Sequence, residues 1–211
     1  VTSDTRPLRV DAERNRVRIV LGAREVFARH GLDVTLDDVA RHTGVGVGTV
    51  YRRFPNKEAL IVAVFDQVIT ELAERIDAAA AAPDAWAGLS GLITGIAELQ
   101  AADRGLYEIC TRSDFGQIER IAAHFIPAVD ALVARAKTQG TLRKDFEAAD
   151  FGALLIMVAE IAERTNVINP DLWRRYLAVL LDGIRTDQAR PLPVAAPTHA
   201  EMDMALRDMR S

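Results

Sequence analysis

The chain has 211 residues, about half of them apolar, with a net charge of −4 and a mean hydropathy of +0.04. That apolar share excludes a disordered chain, and no apolar run approaches the ~18 residues that a membrane helix needs. Cys110 is the only cysteine, so no disulfide forms within the chain; with no export-like apolar stretch in "VTSDTRPLRV", the expected compartment is the cytoplasm.

Charge is spread unevenly. Residues 1–57 hold 11 Lys/Arg against 7 Asp/Glu, a net of +4 that leaves −8 for the rest. A basic head on an acidic body fits an anionic partner at the head, although ordinary solvated charge gives the same count. From Ala12 to His30, Ile19, Ala23 and Phe27 recur every four residues with Val20 and Val26 beside them, which is one helix face. Gly31 then ends that helix. Thr35, with Asp38 three residues on, is close to a capping box for a short second helix with Leu36, Val39 and Ala40 on one face. Gly44 ends the second helix. Val50 and Phe54 define a third short helix, Val47 to Phe54, which Pro55 stops. Asn56 caps a long fourth helix striped by Leu60, Val64, Val68 and Leu72 and broken at Pro83.

The remainder also reads as helical. Helices are expected over 84–102, 106–111 and 114–139, the last kinked at Pro127 and closed by Gly140. "FEAADFGALLIMVAEIAERT" is an apolar helix. "NPDLWRRYLAVLLDGIR" is another, with Asn169 as cap and Pro170 in its first position. The segment from Arg190 on has three prolines and reads as a loose tail with one turn of helix after Thr198. No strand alternation or repeat is found, so the fold class is all-α.

"TGVGVGTVYRRF", Thr43 to Phe54, admits several readings by itself. A dinucleotide loop needs a strand before its glycines, and here a helix precedes them. A P-loop needs Gly-Lys-Ser/Thr, which is missing. A strand has nothing to pair with. What remains is two short helices joined by a glycine turn and braced by a first helix, the plan of a DNA-binding helix-turn-helix. Gly44 supplies the turn, Gly46 a weak N-cap, and Gly48 a bare surface for close approach.

"TLDDVARHTGVGVGTVYRRFPNKEAL", Thr35 to Leu60, is similar to the N-terminal motif of the TetR/AcrR family of bacterial repressors. Phe27 with the following Arg29-His30-Gly31, the Thr35 cap, Gly44-Val45, Gly48 to Tyr51, Phe54-Pro55 and Lys57 to Leu60 all fall at that family's spacing. Gly46 stands where the family often has Ser, and Val47 where it often has a polar or basic residue; both weaken base reading at the turn. "LQAADRGLYEIC" and the helix lengths after it resemble an actinobacterial type of C-terminal ligand domain in this family. The resemblance implies a homodimer that binds a palindromic operator in double-stranded DNA and releases it when a small molecule enters the C-terminal domain. It implies no cofactor and no membrane partner. The corresponding division is a helix-turn-helix head at 1–57, a ligand-binding and dimerisation bundle at 58–189 and a flexible tail at 190–211.

On that resemblance the DNA-binding set is Thr35, Gly46, Val47, Gly48, Thr49, Tyr51, Arg52, Arg53 and Lys57. Thr35 caps the second helix toward the DNA backbone. Thr49, Tyr51 and Lys57 are assigned to phosphates, Arg52 and Arg53 to guanine O6 and N7, and Val47 to a thymine methyl. Tyr51 packing on the fourth helix, and solvated charge at the two arginines, are the competing readings. Arg6 and Arg9 form either a loose tail or an arm touching DNA.

In the body, Leu154, Val158 and Ile161 with Trp173, Leu177, Leu180, Leu181 and Ile184 form faces wide enough to cover a core and a partner subunit as well. A single subunit covering them all is the alternative. Candidate ligand contacts are Trp86, Tyr107, Cys110, Phe115, His124, Phe125, Met157 and Glu160, each also readable as plain core. Glu160, an acid within "LLIMVAEIAE", needs solvent or a partner, and a cationic ligand would suit it. His30, His42, His124 and His199 show no metal-ligand spacing. There is no Gly-x-Ser-x-Gly elbow, so neither an enzyme nor a metal site is expected.

Overall fold

The computed structural model describes residues 5–112, 117–186 and 190–208, with side chains described over 11–66, 68–108, 125–186, 190–202 and 204. Ten α-helices lie among the described residues: α1 Thr5–His30, α2 Leu36–Thr43, α3 Val47–Arg53, α4 Lys57–Ala81, α5 Ala85–Ala102, α6 Arg104–Arg112, α7 Gln117–Thr138, α8 Ala148–Thr165, α9 Leu172–Ile184 and α10 His199–Asp208. None is long and apolar enough to cross a membrane.

Local chemistry sets the head. The box at α2 is complete: Asp38 N–H donates to Thr35 Oγ1 at 3.2 Å, and Thr35 N–H donates to Asp38 Oδ2 at 3.0 Å. Gly44 closes α2 at φ 64°, a left-handed conformation open to glycine at little cost. Ile19, Ala23 and Phe27 of α1, Val39 of α2, Val50 of α3 and Leu60, Ile61, Val64 and Val68 of α4 then bury one head core. α1 begins before the expected Ala12, so Arg6 and Arg9 belong to a helix rather than a loose arm; their side chains lie outside the described residues.

The body has its own core. Ile76 and Ala79 from the end of α4 pack with α5, α7, α8 and the Trp173 and Leu177 pair of α9. The expected boundary after residue 57 therefore meets the first turn of a helix whose two halves serve two cores. Leu106 of α6 joins the head core from the body side.

Three expectations shift. α9 starts at Leu172 with Asp171 as its N-cap residue, not at Pro170 with Asn169 as cap. Asn169 Oδ1 instead accepts from Asp171 N–H at 3.0 Å, a local turn that competes with helix initiation. α6 begins at Arg104, because Asp103 Oδ1 accepts from Leu106 N–H at 2.9 Å and starts the helix early. After Thr198 the chain forms the ten-residue α10 rather than one turn, with His199 Nε2 3.1 Å from Asp130 Oδ1 of α7. Pro127 lies inside α7, as anticipated, and the start expected at Asp114 falls outside the described residues.

Candidate functional site

Burial fixes the outward side of α3. Val45, Val50 and Phe54 are buried, which leaves Val47 45% and Tyr51 46% exposed, with Gly48, Arg52 and Arg53 also exposed. A Cβ at Gly48 would meet nothing within 4 Å, so internal packing does not require glycine there and the outer face stays flat. Arg52 Nη2 donates to Thr49 Oγ1 at 3.0 Å, while Arg53 makes no ion pair among the described residues. The Asp37 carboxylate of α2 stands close enough to push the Tyr51 phenol up from its ordinary value. Tyr51 therefore lies beside α2, in the open, and not packed away on α4.

At the start of α4, Asn56 Oδ1 accepts from Ala59 N–H at 2.8 Å and caps the helix. Lys57 Nζ donates to Leu32 O at 2.8 Å, which holds the ammonium at the head and leaves it two further N–H donors. Thr35 Oγ1 donates to Asp38 Oδ2 at 2.6 Å, so its hydroxyl serves the cap. Two basic residues beyond the sequence-derived set flank this surface. Arg18 of α1 reaches the turn: a Cβ on Gly44 would sit 3.2 Å from its Nη2. Arg41 of α2, paired with Asp38 at 2.9 Å, borders the opening between α2 and α3. Arg18 precedes the apolar pair Ile19-Val20, which signals an outward position, but only the fold brings it over Gly44.

Head and body are joined through polar groups that are partly or fully buried. Arg24 of α1 holds Glu71 of α4 by two hydrogen bonds of 2.6 and 2.9 Å. That guanidinium lowers the Glu71 carboxyl below its ordinary range, and the pairing in turn raises Arg24. Burial pushes the nearby Asp103 carboxyl up. Glu108 of α6 is buried; it accepts from Leu32 N–H at 2.7 Å and from Arg104 Nε at 3.1 Å. Gly31, at φ 71°, admits no side chain, because a Cβ would lie 2.3 Å from Glu108 Oε1.

The proposed ligand contacts do not converge. Trp86 opens α5 and stacks under Arg185, with Cζ 5.1 Å from the ring centroid. Tyr107 lies beyond the other end of α5, about 24 Å of helix away. Phe125 packs edge-on against Phe151 at 5.1 Å, in the body core. Met157 is 49% exposed, on α8. Glu160 accepts from Tyr107 Oη at 2.7 Å and pairs with Arg164, one turn along α8, so the argument for a cationic ligand there falls away. Phe115 and the side chains of Cys110 and His124 lie outside the described residues.

The partner-facing set also divides. Leu154, Val158, Trp173 and Leu177 are buried within the subunit and cannot face a partner. Ile161, Leu180, Leu181 and Ile184 are half-buried at the margin of the same core. The outward side of α8 and α9 instead presents Met157, Tyr176 and Val179, the last 61% exposed. Helical periodicity marked an apolar stripe but could not separate its inner edge from its outer one.

Residues 19–64 match the family model for bacterial regulatory proteins of the tetR family. Residues 84–186 match the C-terminal domain of SbtR-like transcriptional regulators. The chain is similar to the TetR transcription regulatory protein from Mycobacterium vanbaalenii, at 34% identity over 85% of this chain and 99% of that one, with a TM-score of 0.58. The chain belongs to the TetR family. A second structure, the TetR transcriptional regulator SCO0520 from Streptomyces coelicolor, is 28% identical over 82% of this chain and 99% of its own, with a TM-score of 0.60. The HTH-type transcriptional regulator SAR0097 from Staphylococcus aureus is 34% identical over 84 residues, 38% of this chain and 44% of that protein, so the alignment spans less than half of that relative. As a TetR-family member this chain is a DNA-binding transcriptional regulator and not an enzyme. The family model for the N-terminal part covers α2, α3 and the first turns of α4, the same surface that the burial pattern turns outward.

Proposed function

We propose that this chain is a ligand-responsive repressor, released from a palindromic operator when a small molecule binds its body. The observation that carries it is the exposed row of α3, held by a buried underside, in a head that is tied to the body through both backbone groups of Leu32. Leu32 N–H is held by Glu108 of α6, and Leu32 O by Lys57 at the start of α4. A displacement of α6 therefore pulls on the loop between α1 and α2, which is also bonded to Lys57 at the start of α4. Thr49, Tyr51 and Lys57 hold phosphates, Arg52 and Arg53 read guanines, Val47 meets a thymine methyl, and Gly46 and Gly48 let α3 approach. Residues 1–57 form the reading head, 58–189 the sensing and pairing body, and 190–211 a tail.

The chain acts as a homodimer through the outward sides of α8 and α9, where Tyr176 and Val179 adjoin the half-buried Ile161, Leu180, Leu181 and Ile184. Its two heads then fall about one turn of DNA apart, roughly 34 Å.

The test is selection from random duplexes, followed by affinity measurement on the enriched site at two salt concentrations. Wild-type binding should weaken steeply with salt, since phosphate contacts release counterions. Arg53→Ala should lose about 1–3 kcal/mol and relax the preference at one base pair. Tyr51→Ala should weaken all sequences alike. Failure to enrich any duplex with a folded protein would end the reading.

A further inference from the structure

Head and body enclose a polar cleft of about 240 Å³, bordered by α1, the ends of α5 and α8, and α6. Much of its wall is alanine, with Ala28 on α1 and Ala159 and Ala162 on α8, which leaves room for a flat apolar body. Its charges are set apart by element. Arg29 of α1 and Arg104 of α6 supply the basic groups, and Glu163 of α8 supplies the acidic one. Arg29 and Glu163 form no ion pair among the described residues. Arg104 gives its Nε to Glu108 at 3.1 Å and keeps its terminal nitrogens.

Gln100 of α5 also lines the cleft and is only 9% exposed. Its Oε1 is buried without a hydrogen-bond partner. Buried amide oxygens are nearly always paired in folded proteins, and this one lies just behind the wall of the cleft, where a turn of the Gln100 side chain would offer it to a donor in the opening.

We propose that this cleft binds a small zwitterion. Its carboxylate meets Arg29 and Arg104, its flat apolar body lies on the alanines, and its N–H donors meet Glu163 and Gln100. The inference rests on the ligand-responsive reading above and gives it a place and a chemistry. Of the expected ligand contacts, Tyr107 borders this cleft. A ligand here touches α1 itself, so occupancy fixes the angle between head and body without acting through the bundle core.

The test is calorimetric titration of the full chain, without DNA, using 4-(aminomethyl)benzoate as the probe. Saturable binding at one site is expected, with benzoate and benzylamine, each lacking one charged group, weaker by about tenfold or more. Gln100→Leu should weaken the probe, and Ala102→Phe, at an exposed position on the rim, should abolish it while the helical spectrum stays unchanged. Absence of any binding at millimolar probe overturns the proposal, as does equal affinity in both variants or for benzoate alone. If the probe fails while a selected duplex is still bound, the cleft alone is wrong. If the probe binds and no duplex does, the regulatory reading is wrong.

Discussion

Leu32 shows how much one residue carries when both its backbone groups are used. Its N–H is held from α6 and its carbonyl from α4, so two helices meet on one residue of the loop between α1 and α2. The neighbouring Arg24–Glu71 pair ties α1 to α4 and makes the head sensitive to acid. Glu71 has a folded value below its ordinary 4.5, so its contribution is fully present above that pH and is lost as pH falls through the depressed value. With its side chain 37% exposed the pair is partly screened and contributes below about 1 kcal/mol. Denaturant midpoints of the wild type and Glu71→Gln should therefore differ near neutral pH and converge as pH falls through that depressed value. A gap that persists in acid would mean that the pair is not the source.

Among the elements, α6 is the short helix on which the most depends. It lies against α1 so closely that a Cβ on Gly105 would come 2.8 Å from Phe27 Cβ and 3.1 Å from its carbonyl carbon. Gly105→Ala should cost about 1–3 kcal/mol by forcing the two helices apart. Urea unfolding measures it directly, and an unchanged midpoint would show that α6 yields freely. This packing was invisible in the sequence, where Gly105 falls in the break expected between two helices and reads as an ordinary loop glycine. The caps were visible, because Thr35 with Asp38 and Asn56 with Ala59 act within three residues. α9 misled for the same local reason: Asn169 does accept a nearby N–H, but to make a turn ahead of the helix.

For the whole molecule, the open question in the sequence was which apolar faces belong to a partner. Trp173 and Leu177 complete one subunit's core, whereas Val179 points away from it. Val179→Asp should leave the subunit folded, since that side chain is 61% exposed, and should halve the mass measured by light scattering. A variant that stays dimeric at every concentration would move the interface elsewhere.

The sequence by itself determined the all-α class, the glycine turn between α2 and α3, the capping of α2 and α4, and the family. Each of these depends on residues a few positions apart, where helix periodicity, left-handed glycines and side-chain caps act. The three-dimensional packing alone decided that Arg18 lies over Gly44, that Glu108 holds a backbone group 76 residues away, and that Gln100 is left unpaired beside a charged cleft. Those relations join elements distant in the chain, and helical periodicity carries no information about which face of one helix meets which face of another.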